Sequence, residues 1–171
     1  LDNIQSDLAR RQHGYGAGPR MKIEQDSAQM LSGVMDYGSG PVTTGAPLSL
    51  TIANRDHEKW RGRPVAPLTT PRPGHADLTG ALKYGYRDLR PALERASARE
   101  TAARVALGSI CRQLLAQFGV RVGGYVASID EVSANLAGMP ISERLDRALD
   151  SEVACPDAAA ALEMSARIRQ A

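Results

Sequence analysis

Apolar and polar residues follow two different periods in the first third of the chain. Ile4 and Leu8 lie four residues apart and share, with Arg11, one face of a helix predicted over residues 1–12. Residues 21–35 contain short stretches in which apolar and polar residues alternate, and these stretches predict strands. The chain therefore opens with a helix that is followed by extended segments.

The clearest strand signal lies between two loops. Leu48, Leu50 and Ile52 alternate with small or polar residues, which predicts a strand. Glycine and threonine dominate residues 38–47 and predict a loop on one side. On the other side, four prolines over residues 54–74 predict a conformationally constrained loop.

Helical spacing dominates residues 76–118. Pro91 is expected to begin or kink a helix there. Ser97 and Glu100 form a capping box, which predicts that a long helix begins at Ser97 and continues to Phe118. Its apolar stripe is wide, so burial is expected on most sides; the stripe consists of Ala102, Ala103, Val105, Ala106, Ile110, Leu114, Leu115 and Phe118.

The last third of the chain is predicted to contain one strand and two helices. Gly119 suits the end of the long helix. Residues 120–129 read as a strand that a glycine pair interrupts or bends. Helical patterns return at 142–149 and at 157–170.

The small net charge limits the classes of partner. A formal net charge of +2 does not indicate binding to nucleic acid or to another polyanion, although clustered arginines can still create a strong local field. One Trp and one Phe leave the core to Ala, Leu, Val and Ile. The sequence shows neither a signal peptide nor an apolar run that could span a membrane, so no membrane partner is expected.

The two cysteines are far apart and lack metal-binding or redox spacing. Cys111 falls within an apolar helical pattern, which predicts a buried free thiol. Cys155 has no patterned partner either, and two such cysteines suit a reducing compartment. No metal site is expected.

Two segments combine residues that could bind an anion and move a proton. His75 follows Pro-Gly and precedes a helix, where a histidine can exchange a proton near neutral pH. Its residue type alone favours an ordinary surface histidine. Arg95, Ser97 and Arg99 surround a predicted helix N-terminus, where anion binding and plain capping are equally good interpretations.

A third candidate is the basic glycine loop flanked by Arg10, Arg11 and Arg20. Arginines grip carboxylates or phosphates, and glycines admit a ligand close to the backbone. A flexible basic turn explains the same residues, and the glycine spacing is only loosely that of a dinucleotide loop. Tyr15 could stack on a base, but one aromatic makes a single-stranded nucleic-acid binder a poor third interpretation.

Taken together, these segments resemble chorismate synthase, and the similarity runs in order through most of the chain. The most specific stretch is residues 94–108, Glu-Arg-Ala-Ser-Ala-Arg-Glu-Thr-Ala-Ala-Arg-Val-Ala-Leu-Gly, a pattern that helix propensity alone does not generate. The other similar segments are Ala9–Gly16, Leu31–Gly33, Thr44–Pro47, Thr70–Asp77 and Leu82–Gly85.

The resemblance implies an α+β fold in which a helical core layer lies between antiparallel sheets. It implies a lyase of the shikimate pathway that converts 5-enolpyruvylshikimate 3-phosphate to chorismate by a 1,4-anti elimination of phosphate. The cofactor would be reduced FMN, with NADPH as a reductant. The complete protein is expected to be a cytoplasmic homotetramer.

The resemblance also assigns roles to individual residues. His75 corresponds to a catalytic histidine beside the flavin, which reverses the interpretation that its residue type favours. The resemblance implies that the cofactor is bound by Arg95, Ala96, Ser97 and Arg11. Arg11 also corresponds to a residue of the substrate or pyridine-nucleotide pocket. Substrate-binding arginines are Arg11, Arg20, Arg72 and Arg99.

The chain also departs from the family pattern. Ala17 and Met35 stand where arginine is usual, and residues 36–40 form a longer segment than usual. The opening Gly-Glu-Ser-His-Gly stretch and the C-terminal half with its Arg-Ser-Asp motif are absent. Residues 1–171 are therefore expected to be a partial single domain, the N-terminal half without its first strand, and inactive alone. The alternative is a non-catalytic remnant that binds anions or a partner.

Overall fold

The computed structural model of the chain describes residues 1–12, 15, 25–96 and 98–171. The helices within these ranges are α1 Asp2–Gln12, α2 Asp77–Tyr84, α3 Arg90–Arg95, α4 Ala98–Ala116, α5 Ile141–Leu149 and α6 Ala158–Gln170. The strands are β1 Ala28–Ser32, β2 Val34–Asp36, β3 Pro41–Thr43, β4 Ser49–Ile52, β5 Ser128–Ile129 and β6 Val132–Ser133. They form three antiparallel pairs, β1 with β4, β2 with β3 and β5 with β6. Helices combined with small antiparallel sheets confirm the predicted α+β class.

The described residues fall into two compact units. The first is drawn from Leu1–Gln12 and Pro19–Cys111, and the second from His13–Gly18 and Arg112–Ala171. Each unit contains its own apolar cluster. None of the helices in the described part of the chain has the length and apolar character needed to cross a bilayer.

In the first unit, α1 supplies a buried face as its spacing predicts. Ile4 and Leu8 are buried and form a cluster with Ala28 of β1 and with Ala102 and Ala106 of α4. The helix predicted over residues 1–12 is therefore confirmed, and its apolar face is part of the core.

The strand predicted around Leu50 and Ile52 is also confirmed. Both side chains are half-buried against the first cluster, while Ser49 and Thr51 between them are exposed. The loop predicted over residues 38–47 is wrong in one respect, because Pro41–Thr43 pairs with β2. This strand has only three residues and begins with a proline, so no alternation was long enough to mark it.

Helix α4 is continuous, but it is buried on one face only. Ala102, Ala106 and Ser109 are buried, whereas Leu107 is 53% exposed and Leu114 is 62% exposed. The prediction of burial on most sides is wrong. Apolar residues occur all around this helix, so its periodicity could not select the face that packs.

Three further predictions concern α4: its thiol, its N-terminal cap and the glycine that follows its C-terminus. Cys111 is exposed, so the predicted buried thiol is wrong there, whereas Cys155 in the second unit is buried. Ser97 lies outside the described residues, so the predicted capping box stays a prediction. Gly119 adopts a positive φ of 71° after the helix, as a terminating glycine does.

In the second unit, Val153, Cys155, Ala160 and Met164 form the buried cluster. The strand predicted over residues 120–129 is wrong, because only its last two residues pair, with β6. The backbone N–H of Val126 instead donates to the carbonyl of Ala154 at 2.8 Å. An alternating pattern forms a ladder only where a partner strand lies alongside, and none does at residues 120–127 in the described chain.

The helices α5 and α6 confirm the predicted helices at 142–149 and 157–170. Asp157 caps α6 by accepting the backbone N–H groups of Ala159 at 3.0 Å and Ala160 at 3.3 Å. It also accepts the N–H of Asn135 at 2.8 Å. These hydrogen bonds lower the pKa of Asp157, and the one from Asn135 has the largest effect.

We expect the cap to stabilise the helix in a peptide that spans residues 155–171. Replacing Asp157 with alanine removes the acceptor of two N–H groups and should weaken helix formation about twofold. Circular dichroism near 0 °C measures the change. Asp157→Asn is the matched control, because asparagine caps about as well as aspartate. Equal helix content in the alanine and wild-type peptides would contradict the assignment.

Candidate functional site

The proline-stiffened turn before α2 is closed by one buried carboxylate. Arg72 donates to Asp77 through Nε at 2.8 Å and through Nη2 at 2.9 Å. The backbone N–H of Arg72 donates to the same carboxylate at 3.1 Å. Asp77 is fully buried, whereas the Arg72 side chain is 36% exposed. The carboxylate therefore fixes both the backbone and the side chain of Arg72.

The electrostatics of this pair keep Asp77 ionised over most of the pH scale. The side-chain hydrogen bonds from Arg72 lower the pKa of Asp77 from 3.8 to about 2, against the opposing effect of burial. The backbone N–H and the charges of Arg72 and His75 lower it further. Because the folded pKa lies below the ordinary one, the stabilisation is complete above about pH 4 and is lost as the pH falls towards 2.

His75 lies in the same turn with an exposed side chain. Its Nδ1 is 2.9 Å from the carbonyl oxygen of Pro73. A carbonyl only accepts, so this hydrogen bond requires the proton on Nδ1. In the neutral ring, Nε2 is then the nitrogen that can accept a proton. The turn thus carries a fixed guanidinium and a histidine with a defined tautomer.

A second buried carboxylate brings together two arginines that are distant in sequence. Arg11 donates from Nη1 to Oδ2 of Asp26 at 2.7 Å, and Nη1 of Arg99 pairs with the other carboxylate oxygen. The Asp26 side chain has no exposure, and the two arginine side chains are 14% and 16% exposed. Nη2 of Arg99 also donates to the carbonyls of Ile52, at 3.1 Å, and Ala53.

This arrangement ties α1, α4 and the end of β4 to the segment before β1. Two guanidinium groups pair with one carboxylate, so Asp26 holds Arg11 and Arg99 close to each other. The structure thereby brings together Arg11 and Arg99, two of the predicted anion-binding residues. It also shows that much of the hydrogen-bonding capacity of Arg99 is used within the protein.

A groove of about 230 Å³ lies beside the proline-stiffened turn and begins at Ala76. Arg95 and Ala96, at the end of α3, line it together with Lys83. The remaining lining residues are Thr79, Gly80, Tyr84, Tyr86 and Ala92. The groove places two of the predicted cofactor-binding residues, Arg95 and Ala96, beside Lys83 and two aromatic rings.

The walls of this groove depend on close helix packing. A Cβ on Gly80 would lie 2.7 Å from the Cβ of Ala92, so the glycine is needed for α2 and α3 to approach. The rings of Tyr84 and Tyr86 lie 5.4 Å apart, and the Lys83 ammonium lies 5.2 Å from the Tyr84 ring centre. A groove of this chemistry suits a ligand with an aromatic ring and an anionic group.

Two predicted site residues, Arg20 and Ser97, lie outside the described residues, and their roles stay predictions. Within the described ranges, no group of three or more His, Cys, Asp or Glu side chains could hold a metal ion. Sequence reasoning missed Asp26 and Asp77. Asp77 had a local signal, an acidic residue at a helix start after an arginine, whereas Asp26 had none because Arg99 is 73 residues away.

Comparison with known proteins places the whole chain in one family. The model of the family "Chorismate synthase" matches residues 1–171. The chorismate synthase of Symbiobacterium thermophilum is 52% identical over 96% of this chain and 45% of its own length. That of Brevibacillus brevis is 46% identical over all of this chain and 46% of its own length. The chain thus spans about half the length of these curated relatives.

A solved structure gives the same result for the fold. A crystal structure of chorismate synthase is similar to this chain with a TM-score of 0.73 and 36% identity. The similarity covers 99% of this chain and 44% of the other.

Proposed function

The chain belongs to the chorismate synthase family, and we propose that it forms the N-terminal part of a complete enzyme that makes chorismate. In that reaction the C–O bond to phosphate in 5-enolpyruvylshikimate 3-phosphate breaks, a ring proton leaves, and a new C=C bond forms. The observation that carries the proposal is 52% identity to a chorismate synthase over 96% of this chain. The same membership supports a lyase of the shikimate pathway that works as a cytoplasmic homotetramer.

The arginines of this chain suit a substrate with carboxylates and a phosphate. Arg72 is held to Asp77 through Nε and Nη2, so its Nη1 lies on the opposite edge of the planar guanidinium. That nitrogen can donate to a substrate oxyanion. Arg11 and Arg99 lie together around Asp26, and Arg20 is a fourth proposed substrate ligand. These groups would orient the substrate and stabilise the departing phosphate.

His75 is the proposed catalytic residue of this chain. Its Nδ1 donates to the Pro73 carbonyl, so Nε2 is the atom that can take or return a proton. The exposed position of the side chain allows contact with a bound cofactor. His75 and Arg72 are close in sequence, so the proposed proton-transfer group and the proposed anion-binding group lie on the same turn.

Reduced FMN is the proposed cofactor, and the groove beside α2 and α3 fits part of it. Arg95 and Lys83 can meet its phosphate, and Tyr84 and Tyr86 can meet a planar ring. When bound, the electron-rich flavin stabilises charge that develops as phosphate leaves. The groove of about 230 Å³ is smaller than the roughly 300–1,000 Å³ of small-molecule sites, so we infer that the chain supplies only part of the cofactor pocket. Ser97 and Arg11 are further proposed cofactor ligands, and NADPH is the proposed reductant.

The 171-residue chain is expected to form no chorismate by itself, even with excess reduced FMN. It lacks the Gly-Glu-Ser-His-Gly and Arg-Ser-Asp stretches, and catalytic groups that act together lose most of their effect together. Release of phosphate and formation of chorismate are measured in the same reaction. The complete enzyme, assayed with reduced FMN, should release one phosphate for each chorismate formed.

Two controls make the test decisive. The chorismate synthase of Symbiobacterium thermophilum serves as the positive control, and the complete enzyme with oxidised FMN serves as the negative one. Turnover by the isolated 171-residue chain would contradict the expected inactivity. Failure of the complete enzyme under conditions in which the positive control works would contradict the proposed function.

A further inference from the structure

The ion pair between Arg72 and Asp77 is side-on, which leaves one terminal nitrogen of the arginine directed away from the carboxylate. The pair uses Nε and Nη2 of Arg72, at 2.8 and 2.9 Å from Asp77. A guanidinium is planar and rigid, so Nη1 projects from the opposite edge. Asp77 is buried and the Arg72 side chain is 36% exposed, so the pair joins the interior to the surface.

The same carboxylate also restrains the turn that carries His75. Asp77 accepts the backbone N–H of Arg72 at 3.1 Å. This hydrogen bond joins the turn to the first residue of α2, which lies five residues later. Pro73 lies inside this closed segment, and its carbonyl holds Nδ1 of His75. Loss of the Asp77 charge would therefore weaken its hold on both the guanidinium and the backbone of Arg72.

Arg99 provides a useful contrast. Both of its terminal nitrogens make contacts within the protein, Nη1 with Asp26 and Nη2 with the carbonyl of Ile52. Among the described residues, the hydrogen bonds of Arg72 involve its backbone N–H, Nε and Nη2, and none involves Nη1. Of these two arginines, Arg72 has the geometry that presents a terminal nitrogen to a ligand while its other edge is fixed.

We propose that Asp77 is a positioning residue, which holds Arg72 side-on so that Nη1 meets an oxyanion of the substrate. The inference rests on the proposed function and adds a residue that acts through Arg72 and does not touch the substrate. A pre-oriented guanidinium loses less side-chain entropy on binding than a free one, so the effect should fall mainly on substrate binding. The ligand chemistry is a phosphate or a carboxylate group.

The test uses steady-state kinetics of the complete enzyme with reduced FMN. Asp77→Asn should raise the substrate KM about tenfold while kcat changes by less than about threefold, because Arg72 is no longer held in place and its charge-assisted hydrogen bond to the substrate weakens. Arg72→Ala should have a similar effect. The double variant should be no worse than Arg72→Ala alone, because Asp77 acts through that arginine.

Asp88→Asn is the matched control. Asp88 also accepts backbone N–H groups, those of Leu68 and Arg90, and these hydrogen bonds lower its pKa. Its replacement should lower thermal stability and leave KM unchanged. If Asp77→Asn fails to fold, Asp77→Glu keeps the charge but displaces the guanidinium, and its KM should still rise. An unchanged KM in the folded Asp77 variant, or additive losses in the double variant, would overturn the proposal.

Two inhibitors distinguish the oxyanion that Arg72 meets. Inorganic phosphate represents the phosphate group, and shikimate represents the carboxylate without the phosphate. Weaker inhibition of Asp77→Asn by only one of them identifies that group as the partner of Arg72. Unchanged inhibition by both would count against the proposal. A wild-type enzyme that forms no chorismate is a separate result, which rejects the proposed function.

Discussion

Replacing His75 with alanine in the complete enzyme is expected to lower kcat by about 10²–10⁴-fold, the usual contribution of one proton-transfer group, with little change in substrate KM. The hydrogen bond from Nδ1 to the Pro73 carbonyl explains why the loss should appear in kcat. It fixes the tautomer, so Nε2 is the ring nitrogen that would exchange a proton in the proposed reaction. That interaction strengthens as charge develops in the transition state and contributes little to ground-state binding.

Steady-state and single-turnover kinetics together test this expectation. His57→Ala is the matched control, because His57 is also exposed and lies in a short 3-10 helix, Asp56–Lys59, that contributes no residue to the proposed site. It should leave kcat and KM unchanged. Arg99→Ala should instead raise the substrate KM, because an arginine that attracts an anion already does so in the ground state. Equal losses in binding and turnover for His75→Ala and Arg99→Ala would mean that these roles are wrongly assigned.

The sequence predicted helices and strands correctly where the spacing of apolar residues followed one clear period. Ile4 and Leu8 identified the buried face of α1, and Leu50 and Ile52 identified the half-buried face of β4. It failed at residues 120–129, because a strand needs a partner that the local pattern does not specify. It also failed for α4, where apolar residues surround the helix and only tertiary packing selects the buried face.

The candidate site shows the same division between local and long-range information. Arg72 and His75 could be singled out from one short segment, because prolines, an arginine and a histidine are adjacent there. Asp26 could not, since its partner Arg99 comes from a helix 73 residues later. A sequence motif cannot reveal a buried carboxylate when its arginine partner is distant in the sequence and meets it only in the folded chain.

Asp26→Ala is expected to lower the free energy of unfolding by about 3–5 kcal/mol, the usual loss when one partner of a buried ion pair is removed. The Asp26 side chain is fully buried between Arg11 and Arg99, and its loss removes an ionic partner from two largely buried guanidinium groups. Urea unfolding of the complete enzyme measures the change. Glu58→Gln is the matched control, because Glu58 pairs with Arg61 at 3.0 Å on the surface, and such pairs contribute only about 0–1 kcal/mol.

A triple variant separates the structural role of this cluster from its role in binding. Arg11→Met, Asp26→Leu and Arg99→Met together replace the three charges with apolar side chains of similar length, which is often neutral or stabilising in a protein interior. Stability should therefore recover relative to Asp26→Ala. The substrate KM should stay above the wild-type value, because two of the proposed substrate-binding arginines are gone. If stability and KM recover together, the arginines serve the fold alone. If neither Asp26→Ala nor the triple variant changes stability, the cluster does not hold α1, α4 and β4 together. The expected split, recovered folding with impaired binding, would show that one buried carboxylate fixes the fold and holds the charges that the substrate meets.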